Sequence, residues 1–249
     1  MKLKFAKMHG LGNDFAVIDA INQPFDPRPE LVQRWADRFD GIGFDQLLIV
    51  EKPDSNAAAF KYRIYNSDGG EVAQCGNGAR CFARFVREQG LTDLDVIPVE
   101  TSAGLLTLEA IDATRYRVNM GIPCFEPADI PLHVDEQQDL YHTEYEDRQI
   151  SFSAVSIGNP HMVMQVEDVD RCDIETLGPY FESHRLFPAR VNVGFMQILD
   201  PTIFRLRVFE RGVGETRACG SGACAAMVTG VRLGLLENSV RAILSGGEL

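Results

Sequence analysis

The chain has 249 residues, 45% hydrophobic and 24% charged, enough to bury a large core in one big domain or two small ones. A formal net charge of −12 argues against nucleic acid, whose phosphates demand a basic face. The opening "MKLKFAKMHGLGNDF" carries lysines but no apolar h-region, and no stretch approaches the roughly 18 apolar residues of a membrane span. A cytoplasmic location is therefore expected, with no membrane contact and with the six cysteines read as thiols.

In chain order, the first half predicts a strand at "FAVIDA", then a helix over "PELVQRWADRF" with Leu31, Trp35 and Phe39 at helical spacing. Strands "QLLIVE" and "FKYRIYN" follow, then a helix from about Gly76 to Glu88 and a strand at "DVIPVET". The second half predicts "HMVMQV" as strand, "IETLGPYFESH" as helix, and "GFMQIL" and "FRLRVFE" as strands. A helix from about Gly220 to Leu233 and a strand at "VRAILS" complete it. Both halves read β-α-β-β-α-β.

The two halves are copies. Lys61 to Ala79, "KYRIYNSDGGEVAQCGNGA", aligns without gaps on Arg205 to Ala223, "RLRVFERGVGETRACGSGA". Arg63, Gly70, Glu71, Cys75, Gly76, Gly78 and Ala79 meet identical residues. Upstream, "GFDQLLIV" from Gly43 answers "GFMQILD" from Gly194, and "GNDFAVI" from Gly12 answers "GNPHMVM" from Gly158. Three motifs in one order mark an internal duplication. The expected halves are residues 1–121 and 122–249, parted where prolines interrupt "GIPCFEP". The counterpart of Leu105 to Met120 is missing after "SGGEL", so the second half is expected to lack its last strands.

Each copy places a cysteine at the start of its second helix, followed by Gly-x-Gly. Free backbone N–H groups and the positive dipole end favour an anion there, which can pull a thiol pKa down from ~8.5. The same N–H groups can hold a carboxylate, and glycine lets a ligand approach the backbone. Plainer readings compete. A cysteine at a helix N-cap can be purely structural. Zinc would want Cys-x2-Cys, whereas the spacings here are Cys-x5-Cys and Cys-x4-Cys with no nearby histidine. A phosphate loop would want a lysine after the glycines, and none is there. Cys81, Cys124, Cys172 and Cys224 lack the motif context and read as small core residues. Two like thiols around one small carboxylate suit inversion of a stereocentre: one removes the α-hydrogen, the other delivers a proton to the opposite face.

The motifs "HGLGNDF", "GFDQLL", "YNSDGGEVAQCGNGARC", "SIGNPH", "RVNVGFMQI" and "VFERGVGETRACGSGACAA" resemble those of the diaminopimelate epimerases, from Lys7 to the end of the chain. The resemblance implies an isomerase without pyridoxal phosphate, other cofactor or metal. Its reaction would interconvert LL- and meso-diaminopimelate in lysine and peptidoglycan precursor biosynthesis. It implies an α/β fold of two pseudo-symmetric domains, each a mixed β-barrel-like sheet around a central helix. The expected assembly is a homodimer. By the same resemblance, Cys75 and Cys219 are the acid–base pair, and Gly76, Asn77, Gly220 and Ser221 hold the reacting carboxylate. Asn13, Gln46, Asn66, Asn159, Asn192, Glu210 and Arg211 bind the rest of the ligand, while His161 and Glu210 tune the thiols.

The repeat bears on that assignment by itself. Where copy one has Asn66-Ser67, copy two has Glu210-Arg211, one carboxylate and one guanidinium on the strand before Cys219. Such a pair is ordinarily a surface ion pair. Here it would anchor the distal amino-acid end of a substrate of which only one end reacts. Arg217, beside Cys219, would lower the thiol pKa if it faced the site. The alternatives are another cofactor-independent amino-acid racemase or isomerase on this fold, a non-catalytic amino-acid-binding relative, and a thiol redox protein.

Overall fold

The computed structural model describes residues 2–72 and 75–249, so Ala73 and Gln74 of the first cysteine motif lie outside the described residues. The chain divides into two compact units, Met1–Asn119 and Met120–Leu249.

The first unit runs β1 (Ala6–Gly10), β2 (Asn13–Asp19), α1 (Pro29–Ala36), β3 (Gln46–Glu51), β4 (Phe60–Asn66), β5 (Glu71–Val72), α2 (Gly76–Glu88), β6 (Val96–Thr101), β7 (Gly104–Ala110) and β8 (Tyr116–Val118). Its mixed sheet has the order β1-β2-β3-β4-β6-β7-β8, with β5 on β4. The strands are buried on both faces, and alternation divides their residues between two layers. Phe15, Val17, Leu48, Val50, Tyr62 and Ile64 pack on α2 through Phe82, Phe85 and Val86. Ala16, Ile18, Leu47 and Ile49 turn the other way, onto Val32 and Ala36 of α1. Because α2 touches β1 at one edge and β8 at the other, the sheet curls around it.

The second unit repeats the plan. It runs β9 (Tyr141–Tyr145), β10 (Arg148–Ser156), β11 (Pro160–Gln165), α3 (Ile174–Glu182), β12 (Asn192–Asp200), β13 (Ile203–Glu210), β14 (Gly214–Thr216), α4 (Gly220–Arg232), β15 (Arg241–Leu244) and β16 (Gly247–Glu248). The order is β16-β15-β13-β12-β11-β10-β9, with β14 on β13. Here α4 lies against β10 to β13, and α3 covers the opposite face with Ile174 and Phe181. No helix among the described residues is long and apolar enough to cross a membrane.

Three sequence expectations need correction. The first helix stops at Ala36, and Phe39 is 96% exposed, not part of a helical face. Asp37 ends it: its Oδ1 accepts from the Phe39 and Asp40 N–H groups at 2.8 and 2.7 Å. The chain then folds back so that Trp35 O accepts from Ile42 and Gly43. A Cβ at Gly41 would sit 2.4 Å from Arg34 O, so the return needs glycine. Second, the hairpin β9-β10 had no counterpart in the predicted elements. Third, of the four cysteines read as core, only Cys81 is buried; Cys124, Cys172 and Cys224 are half-exposed.

Candidate active site

Each unit places a cysteine motif at the N-terminus of its central helix. In the first, Cys75 is the N-cap of α2 in extended conformation, and its Sγ accepts from Gly78 N–H at 3.3 Å. The tight approach of Tyr62 fixes why Gly78 is glycine: a Cβ there would lie 2.4 Å from the phenol oxygen. That hydroxyl is buried without a hydrogen-bond partner among the described residues, and burial holds its pKa well above the ordinary phenol value. Asn77 is buried, and its Oδ1 accepts from Arg80 at 2.7 Å.

The β1–β2 turn sets Asn13. Leu11 and Gly12 both have positive φ, the twist a two-residue hairpin requires, and Gly10 pairs with Asn13. Asn13 Oδ1 thereby reaches 3.8 Å from Cys75 Sγ. Strand pairing aligns Gln46 with Asn66, and Gln46 Nε2 donates to Asn66 Oδ1 at 2.8 Å. Gln46 Oε1 is buried and has no hydrogen-bond partner among the described residues. A buried carbonyl oxygen left this way costs about 1–3 kcal/mol, and a bound donor would recover it.

In the second unit Cys219 caps α4 and is fully buried. Its Sγ lies 3.6 Å from Ser221 Oγ, which is 3.1 Å from His161 Nε2 and 3.4 Å from Asn159 Nδ2. Asn159 Oδ1 faces His161 Nε2 at 3.0 Å. An amide oxygen needs a donor, so in this arrangement Nε2 carries the imidazole proton. Asn159 Nδ2 then donates to Ser221 Oγ, leaving the serine O–H to donate to sulfur. Burial first, then the Arg211 charge, bring His161 down to about 3, so the ring is neutral near pH 7.

The residues expected to bind the far end of the ligand gather at the end of β13. Asn192 pairs with His161 across β12 and β11; it donates to Pro160 O at 3.1 Å and accepts from Arg211 N–H at 2.9 Å. Glu210 is bonded by Thr216 of β14, and the exposed Arg211 side chain donates to Ala189 O at 3.0 Å. Glu210 also acts on Cys219. Burial raises that thiol well above its ordinary pKa, the Glu210 carboxylate adds to the rise, and donors from Ser221 and Gly222 oppose it. The sequence expectation of a thiol drawn toward neutrality by its helix end thus fails for Cys219, because desolvation outweighs the dipole. Arg217 is exposed, so it does not supply the compensating charge.

The structure therefore groups Asn13 with Cys75, Gln46 with Asn66, and Asn159, His161 and Ser221 with Cys219. Gly76, Asn77 and Gly220 lie in the first turns of α2 and α4. Sequence reasoning missed Asp45 and Thr216, which hold Asn13 and Glu210. Asp45 stands inside "GFDQLL", so its motif was visible, but its partner lies 32 residues away.

A family model described as diaminopimelate epimerase matches residues 5–125 and 153–249. Curated diaminopimelate epimerases from Nitrosomonas europaea and Nitrosospira multiformis are 56% and 52% identical over 249 residues, covering 100% of this chain and 90% of each relative. A solved hydroxyproline epimerase from Agrobacterium vitis, with bound trans-4-hydroxy-L-proline, superposes with a TM-score of 0.68 at 15% identity, over 99% of this chain and 82% of its own. A probable proline racemase from Agrobacterium radiobacter gives 0.69 at 16% identity, over 99% and 83%. These two share the fold.

Proposed function

Because the chain belongs to the diaminopimelate epimerase family, we propose that it interconverts LL- and meso-diaminopimelate through Cys75 and Cys219. One cysteine, as thiolate, takes the α-hydrogen as a proton from one face. The electron pair left on carbon spreads into the adjoining carboxylate. The other cysteine, as thiol, returns its own proton to the opposite face, and the two have exchanged roles. Helix-start N–H groups around Gly76, Asn77, Gly220 and Ser221 stabilise the carboxylate as it gains charge. Cys219, kept protonated by burial and by Glu210, begins as the acid in one direction. In the reverse direction the Ser221 hydroxyl and the Gly222 N–H make its thiolate accessible.

The single observation that carries this reading is the duplicated N-cap cysteine, one per unit, in a molecule whose symmetry is broken at Glu210-Arg211. Two like thiols answer the need for reversible inversion. The carboxylate–guanidinium pair answers the distal ammonium and carboxylate, which proline lacks. Asn13, Gln46, Asn66, Asn159 and Asn192 complete the binding groups, and Gln46 Oε1 suits an ammonium donor. The reaction uses no cofactor, serves lysine and peptidoglycan precursor synthesis in the cytoplasm, and is carried out by a homodimer.

Chiral chromatography of LL-diaminopimelate incubated with the purified chain tests this directly. The meso form is expected to accumulate toward equilibrium, with no racemisation of L-proline under the same conditions. Turnover of proline but not of diaminopimelate would favour the racemase reading, and turnover of neither would favour a binding protein.

A further inference from the structure

The reaction as described leaves unused a charge network beneath Asn13. Asn13 Nδ2 donates to Asp45 Oδ2 at 2.9 Å, and the same oxygen accepts from Asp14 N–H at 3.0 Å. Reciprocally, Asp45 N–H donates to Asp14 Oδ1 at 3.0 Å, so the starts of β2 and β3 are clipped together. Arg38 bridges both carboxylates, reaching Asp14 Oδ1 at 2.8 Å and Asp45 Oδ1 at 2.6 Å, while Lys7 binds Asp14.

An ionised carboxylate offers only acceptors. Asn13 must therefore turn its NH2 toward Asp45, which directs Oδ1 to the other side, where Cys75 Sγ lies 3.8 Å away. In that contact sulfur is the donor, and a partner that accepts from the neutral form favours that form. Gly78 N–H donates to the same sulfur, but the side-chain partners of the two units have opposite polarity: in the second, the chain through His161, Asn159 and Ser221 ends in a donor on Cys219. The pseudo-symmetric halves thus offer their two sulfurs different partners.

We propose that Asp45 is a positioning residue: it locks the Asn13 amide so that an acceptor faces Cys75 and favours its S–H form, the form in which Cys75 serves as the acid when Cys219 is the base. The inference rests on reading Cys75 as one of the acid–base pair. Arg38 and Lys7 neutralise the two carboxylates of the clip. Tyr62 and Cys81 also act on Cys75; burial raises the first well above its usual value and pushes the second up to about 12, so neither is charged near pH 7.

The test is alkylation of the full chain by iodoacetamide across pH, with modification at Cys75 and Cys219 followed separately by peptide mass spectrometry. Asp45→Asn keeps the shape but lets the Asn13 amide turn and aim its N–H at sulfur. Cys75 is expected to react about three- to tenfold faster below its midpoint, with its profile moved to lower pH and Cys219 unchanged. Asp45→Ser, which keeps an oxygen for the Asp14 N–H, should do the same if Asp45→Asn does not fold. Arg38→Met leaves the Asp45–Asn13 bond in place and should retain the original Cys75 profile. An unchanged Cys75 profile in the folded Asp45 variant overturns the proposal, and so does an equal shift in Arg38→Met or at both thiols. The readout is thiol modification, not turnover, so a chain that failed to epimerise diaminopimelate would refute the proposed function without deciding this point.

Discussion

Replacing either Cys75 or Cys219 with Ala is expected to lower epimerisation by about 10²–10⁴-fold, to the edge of detection, in both directions. Each direction needs one base and one acid, so losing either thiol leaves the inversion without one of its two proton carriers. In the second unit the nearest ionisable ring, His161, is buried and neutral, and it orients Asn159 without reaching sulfur. The single variants should still exchange the α-hydrogen of the one stereoisomer that presents it to the surviving thiol. Cys224→Ala, half-exposed on α4, should keep near-normal turnover. Cys81→Ala should do so too, with a loss of about 1–2 kcal/mol of stability from the core around Phe82. Chiral separation of the stereoisomers checks all four. An appreciable rate in Cys75→Ala would mean that the matching motifs reflect ancestry and not a shared reaction.

Stability is expected to fall on mild acidification because of His161. Its folded value, about 3, lies below the 6.5 of an unperturbed ring, so the unfolded chain takes up the proton first. The neutral ring contributes fully above pH 6.5, and that contribution drains away as pH falls toward 3. Between pH 6.5 and 5 the loss from this residue is about 2 kcal/mol. His184 is also lowered by burial and adds in the same window. Asp14, whose carboxyl its Arg38 and Lys7 partners hold down, loses its contribution only below about pH 4. Position 161 corresponds to Phe15 of the first unit, so His161→Phe fits the repeat and removes only the histidine part of the slope. Urea unfolding at pH 6.5 and 5 should show a drop smaller by about 2 kcal/mol in the variant. Equal drops would place the acid sensitivity elsewhere.

The two cysteine motifs and their surroundings were partly legible in the sequence, for reasons that differ residue by residue. The central helices and their cysteine caps could be read because glycines at Gly76, Gly78, Gly220 and Gly222 and the duplicated strand before each cysteine are local signals. Helix α2 spans the predicted Gly76–Glu88, and α4 ends within a residue of expectation. The β9-β10 hairpin was obscured because "YHTEYEDR" is polar overall; its buried Tyr141 alternates with exposed His142 and Glu144, a period-2 pattern that charge masks. Phe39 was misread because helical spacing continued past Asp37, whose side chain stops the helix. What no local pattern could supply was depth and partner. Cys75 and Cys219 look alike in sequence, yet one is half-buried and touches Asn13, while the other is buried beside Glu210. Those differences arise from contacts between residues far apart in the chain.

The most direct test of the two-thiol account is diaminopimelate turnover in D2O, with the α-position followed by NMR and mass spectrometry at early times. Two thiols on opposite faces mean that the proton lost and the proton gained belong to different groups, and thiols exchange readily with solvent. Early product should therefore carry deuterium at the inverted carbon while the remaining substrate stays largely protiated. Product that retains the original hydrogen at that carbon would show a single base serving both faces, and would contradict the assignment of Cys75 and Cys219 as a pair.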